Sequence, residues 1–139
     1  MEIVCYREKS GTVPVKVYLS EYISKKKLNE KRIKILAKMD SVIKLTAEKN
    51  GIPGGEFSSD VIGYDFQELR IPDGSTLVRV LYFCYHRDKL VLLRVYDKPK
   101  LYEKAGKQRV DKKIKENNDI AQKYYEDFKK NPNQYEKYE

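Results

Sequence analysis

Tryptophan is absent from this chain, histidine occurs once, and cysteine and methionine occur twice each. A single histidine excludes an acid–base pair of imidazoles, and neither a Ser-His-Asp set nor a spacing of metal ligands is evident, so no cofactor or metal is expected. Cys5 and Cys84 lie far apart in strand-like segments, without the short paired spacing of a zinc or redox motif. They are expected as buried free thiols in a reducing cytoplasm. No apolar run approaches the ~20 residues that span a bilayer. The opening Met1-Glu2-Ile3-Val4-Cys5 lacks the basic and apolar regions of an export signal. A soluble, cytoplasmic protein is expected.

Charge is plentiful. Charged residues make up 36% of the 139, with 29 Lys and Arg against 21 Asp and Glu, a net charge of +8. The isoelectric point near 9.3 and mean hydropathy of −0.74 fit a water-facing surface attractive to a polyanion. The length fits one domain with one core, here residues 1–131, followed by a mobile tail over 132–139 that has little apolar surface to order it.

Glu2 to Arg7 reads as a strand closed by Ser10-Gly11. Pro14 can then open a short helix carrying Val15, Leu19, Tyr22 and Ile23. Asn29 caps a longer helix whose stripe of Ile35, Leu36, Met39, Val42 and Ile43 runs to Asn50-Gly51. After the loop Ile52-Pro53-Gly54-Gly55 come three strand-like runs, Val61 to Ile71, Thr76 to His86 and Leu90 to Lys98, whose short links imply antiparallel neighbours. A charged helix from about Lys104 to Lys130, interrupted near Asn117-Asn118, carries Val110, Ile114, Ala121, Tyr125 and Phe128. The order is β-α-α-β-β-β-α. It predicts an α+β fold in which an antiparallel sheet has the N-terminal helical hairpin on one face and its other face open, with a C-terminal helix.

Strict alternation puts Leu90, Leu92, Arg94, Tyr96 and Lys98 on one face of the last strand and Val91, Leu93, Val95 and Asp97 on the other. Tyr64, Phe66, Glu68 and Arg70 lie together on an earlier strand, and Arg79 shares a face with Leu81, Phe83 and Tyr85. Such a cluster can hold the phosphates of a single-stranded nucleic acid while Tyr96 stacks or donates. The same residues also fit a solvated sheet face on which Arg70 and Glu68 pair. His86, in the hairpin-like Tyr85-His86-Arg87-Asp88, is expected at a rim and outside the chemistry. Lys25-Lys26-Lys27 and the stretch from Lys107 to Lys115 are solvated helix surface, or a diffuse rim for docking on ribosomal RNA.

The runs Phe66-Gln67-Glu68-Leu69-Arg70, Leu77-Val78-Arg79-Val80-Leu81-Tyr82 and Leu90-Val91-Leu92-Leu93-Arg94-Val95-Tyr96-Asp97-Lys98 together resemble the central signature of RelE/ParE-superfamily toxins, closest to the phage-derived HigB-like branch. The resemblance implies the toxin of a type II toxin–antitoxin system, a metal-independent endoribonuclease that cleaves messenger RNA on the ribosome and is neutralised by a small helix-turn-helix antitoxin. It implies catalytic roles for Arg70, Arg79, Tyr96 and Lys98, with Glu68, Arg94 and Lys100 as nucleic-acid-binding residues. The chain departs from the family at Arg94, where histidine is usual, and at Pro99, where a second lysine is usual. The fold is shared by ParE-like inhibitors of DNA gyrase, and a non-catalytic binding module from a mobile element is the third reading.

Overall fold

The computed structural model describes residues 1–25, 30–51, 57–73, 76–99 and 104–138. Among them the order is β1 (Glu2–Tyr6), α1 (Pro14–Lys25), α2 (Glu30–Glu48), β2 (Ser58–Asp60), β3 (Gln67–Asp73), β4 (Thr76–Tyr85), β5 (Lys89–Pro99), α3 (Lys104–Lys130) and β6 (Tyr135–Lys137). The six strands form one sheet in the order β2-β3-β4-β5-β1-β6, parallel only where β1 meets β5. The α+β class and the meander of three long strands are as expected. The expected Asn29 cap, the Ile52–Gly55 loop and the Gly74-Ser75 link lie outside the described residues, as do Lys26 and Lys27.

Local chemistry accounts for the element ends. Pro14 opens α1, where its missing N–H costs no helical bond. Helix α2 ends where Gly51 turns to φ +91° and its N–H reaches the Thr46 carbonyl at 2.7 Å. A Cβ at Gly51 would stand 2.1 Å from Cys84 Sγ, so both backbone angle and space demand glycine. The β4–β5 hairpin turns through His86 (φ 50°) and Arg87 (φ 62°), with the Asp88 N–H donating to the Tyr85 carbonyl at 3.2 Å. That is the positive-φ hairpin geometry that ordinarily selects Asn-Gly.

Two cores flank the sheet. Leu69, Ile71, Val78, Val80, Tyr82, Leu90, Leu92 and Val95 pack with Met39, Val42 and Ile43 of α2 and Val15 of α1. On the other face Phe66, Leu81, Phe83, Val91 and Leu93 pack with Ala121 and Phe128 of α3. The face expected to be open is therefore covered along part of its length by α3, because the Ala121, Tyr125 and Phe128 stripe buries against Phe83 and its neighbours.

Four further expectations are corrected. The run Val61–Ile71 is not one strand: β2 pairs back on β3 through a tight turn at Ile62-Gly63, where Gly63 has φ +86° and the Tyr64 N–H meets the Val61 carbonyl. Helix α3 is not interrupted at Asn117-Asn118, since the Asn117 amide donates to the Lys113 carbonyl one turn earlier and its oxygen accepts from Arg94. Tyr135–Lys137, placed in a mobile tail by its polarity, forms β6 against β1. It is held by the edge that β1 offers, by the Lys16–Glu136 ion pair and by Tyr138 Oη donating to Asp40 at 2.9 Å.

The fourth correction concerns side-chain phase. Leu81 lies opposite Arg94 but the next residue, Tyr82, lies opposite Leu92, leaving Leu93 as the extra residue of a β-bulge. Leu90 and Leu92 therefore face the helical hairpin, as does Asp97, which accepts from Tyr18 of α1 at 2.6 Å. Arg94, Tyr96 and Lys98 do not share their face. The bulge transfers these three to the α3 side, where Arg79 already stands.

Candidate active site

Past the bulge, three strands bring the cations into rows. Arg70 on β3, Arg79 on β4 and Tyr96 on β5 are register neighbours; Glu68, Leu81 and Arg94 form the adjacent row, and Leu77 and Lys98 the next. Arg79 Nη2 lies 2.7 Å from the Glu68 carboxylate, and Nη1 donates to Tyr96 Oη at 2.9 Å. With side-chain exposures of 12% and 6%, the Arg79–Glu68 pair is largely withdrawn from water. Ser59 of β2 adds a hydrogen bond to Glu68 at 3.1 Å.

Electrostatics divide the labour among the rest. Burial pushes the Tyr96 phenol above its ordinary range even against the Arg79 charge, so it stays protonated at neutral pH. Its oxygen accepts from Arg79, which leaves its own hydrogen free to donate. The Lys98 amine is held below the usual lysine range, first by burial and then by the Arg79 charge, with Glu68 and Asp111 opposing. A lysine so placed is a better proton carrier than a solvated one. Arg70 Nε and Arg79 Nε are buried and have no hydrogen-bond partner among the described residues. Arg70 also lines a groove of about 440 Å³ with Lys38, Phe57, Pro72 and Leu77.

A buried row of guanidinium and phenol donors with an adjoining low-range lysine suits a phosphodiester, and the sequence as a whole can be set beside known families at this point. Residues 24–123 match the family described as phage-derived protein Gp49-like (DUF891). The chain belongs to that family. It is a RelE/ParE-like family of toxin–antitoxin systems, which is the breadth at which the resemblance of the strands holds. No curated protein matches the chain.

In this Gp49-like chain the fold brings Arg70, Arg79, Tyr96 and Lys98 together with Glu68 and Arg94, while Lys100 lies outside the described residues. The surface pairing considered for Glu68 and Arg70 is replaced by a buried pairing of Glu68 with Arg79, because Glu68 lies one row from Arg79 and points to the same face. His86 sits in the hairpin turn against Tyr85, seven residues and therefore roughly 20 Å along β4 from Arg79. Cys5 and Cys84 are free, but only Cys5 is fully buried, which pushes its thiol up to about 12. Among the described residues no cluster of three His, Cys, Asp or Glu side chains is arranged as metal ligands, and no helix is long and apolar enough to cross a membrane.

Two site residues were missed from the sequence. Asn117 of α3 accepts the Arg94 Nε–H at 2.7 Å, and Asp111 of α3 lies close enough to act on the Lys98 charge. The signal for the first was present in the Asn117-Asn118 pair, two poor helix formers mid-helix, which mark a buried polar contact as readily as a break.

Proposed function

We propose that this chain is the toxin of a type II toxin–antitoxin pair, of the HigB-like branch, and that it cleaves ribosome-bound messenger RNA without a metal. The observation that carries the reading is the Arg70–Arg79–Tyr96 row with the low-range Lys98 amine beside it on one sheet face. In the reaction a messenger 2′-hydroxyl attacks the neighbouring phosphorus, the 2′-O–P bond forms as the P–O5′ bond breaks, the 2′ proton leaves to a base, and the departing 5′-oxygen takes a proton from solvent water to leave as a hydroxyl. Lys98, whose amine burial and the Arg79 charge hold below the usual lysine range, is the base in its deprotonated form. Tyr96 donates to a non-bridging oxygen, and Arg70 and Arg94 balance the charge that builds on the phosphorane. Arg79 fixes Tyr96 through its Nη1 donor. The neutralising partner is a small helix-turn-helix antitoxin that covers this face or the tyrosine-rich end of α3.

The test is cleavage of messenger RNA on programmed ribosomes by purified variants, with circular dichroism as folding control. Arg70→Ala and Lys98→Ala are each expected to slow cleavage by ~10²–10³, and His86→Ala to leave it unchanged. Full cleavage by both cleft variants, or loss confined to His86→Ala, would place the chemistry elsewhere. Gyrase inhibition is the second reading, favoured by one observation: Glu68 neutralises Arg79, as suits a binding surface better than a phosphate clamp. A supercoiling assay in which the protein blocks gyrase and leaves messenger intact would select it.

A further inference from the structure

The cluster contains two buried-side arginines that are held in opposite ways. Arg79 is fixed by a carboxylate, which cancels its charge. Arg94 is fixed by a neutral amide: its Nε–H donates to Asn117 Oδ1 at 2.7 Å, and among the described residues no carboxylate lies within ion-pair distance of it. Asn117 is itself only 7% exposed, and its Nδ2 is locked to the Lys113 carbonyl at 2.8 Å, so the oxygen it presents to Arg94 is fixed by the helix. The Arg94 charge is felt in the site, where it opposes the burial that raises both Tyr96 and Tyr124.

We propose that Asn117 is a positioning residue for Arg94: it orients the guanidinium toward the anion of the cleft while leaving its full positive charge in place. This rests on the endonuclease reading. An aspartate at this position would hold Arg94 at least as firmly, but it would cancel the charge and give up the bond to the Lys113 carbonyl. An alanine would preserve the charge but leave Arg94 only its hydrogen bond with Tyr124, which loosens the orientation, since a long side chain with fewer fixed partners samples more rotamers. The amide is the side chain of this size and shape that does both.

The experiment follows Asn117→Asp, Asn117→Ala, Arg94→Ala and the Arg94→Ala/Asn117→Ala double variant through two readouts. In the first, the Arg94 Nε–H signal of ¹⁵N-arginine-labelled protein is followed while inorganic phosphate is added. The signal is expected to be protected from exchange in the wild type and in Asn117→Asp but not in Asn117→Ala, and to respond to phosphate at least tenfold more weakly in Asn117→Asp. In the second, cleavage on programmed ribosomes is expected to fall about 10- to 100-fold in Asn117→Asp through kcat, measured at a temperature where circular dichroism shows the variant fully folded. The double variant is expected to be no slower than Arg94→Ala alone, because Asn117 acts through Arg94. A wild-type Nε–H signal retained in Asn117→Ala, wild-type cleavage by Asn117→Asp, or additive losses in the double variant would each overturn the proposal. A wild type that cleaves no messenger while the phosphate readout behaves as expected would overturn the endonuclease reading and leave the positioning role standing.

Discussion

Replacing Arg79 with alanine is an obvious test of a phosphate clamp, but its first effect will be on folding. The substitution strips Glu68, 6% exposed, of its cation and leaves it Ser59 as a donor at 3.1 Å. Removing one partner of a buried ion pair costs about 3–5 kcal/mol, because the other charge stays buried and uncompensated. Against a total stability of about 5–15 kcal/mol this is roughly a fifth or more of the whole, and it corresponds to a fall in Tm of roughly 10–20 °C for a chain of this size. The loss has a pH signature. A buried carboxylate without its cation takes up a proton more readily than the same group in the unfolded chain, so the variant gains relative stability as pH falls. Urea denaturation of wild type and Arg79→Ala at pH 7 and at pH 4.5 should show a deficit that shrinks in acid, and Glu68→Gln/Arg79→Ala should recover most of it at pH 7. A deficit under 1 kcal/mol at pH 7, or one unchanged by acid, would refute the claim that Glu68 and Arg79 form a desolvated pair. Loss of cleavage by Arg79→Ala is therefore informative only when read beside its stability.

Three further outcomes are expected. Because the Lys98 amine sits below its ordinary range, the unfolded chain binds that proton more tightly, and both stability and cleavage should rise with pH as the folded amine deprotonates; a pH–rate profile of Lys98→Arg should lose this limb. His86→Asn with Arg87→Gly places the preferred pair at positive φ and should stabilise the hairpin by about 1 kcal/mol, seen as a raised denaturation midpoint with cleavage unaltered. Tyr138→Phe removes the bond from β6 to Asp40 and should lower stability by about 1 kcal/mol, with faster amide exchange along Tyr135–Lys137.

The readable parts of the fold were those governed by local periodicity. The stripe on α2, the alternation in β3 and β4 and the cationic ends of the strands follow from spacings of a few residues, and they placed Glu68 with Arg70 on one face of β3 and Arg79 with Leu81 on one face of β4. What escaped depends on partners distant in sequence. β6 exists because β1 has an edge to offer, and nothing within Tyr135–Lys137 announces it. The continuity of α3 through Asn117 depends on an arginine twenty-three residues earlier. Glu68 chooses Arg79 over Arg70 because the register of β3 on β4 brings it there, a fact no single strand contains.

The leftover residue Leu93 makes the site a matter of counting. Upstream of it even-numbered positions of β5 face the helical hairpin; downstream they face α3. A chain that lost Leu93 would keep Arg94 opposite Leu81 and its cleft intact, whereas one that kept Leu93 but paired it regularly opposite Leu81 would present Asp97 to the cleft and turn Arg94, Tyr96 and Lys98 toward a hydrophobic core. The bulge, and not the motif letters alone, therefore decides which face the cleft residues take. The same letters paired one position out through Leu92-Leu93 describe an inside-out protein.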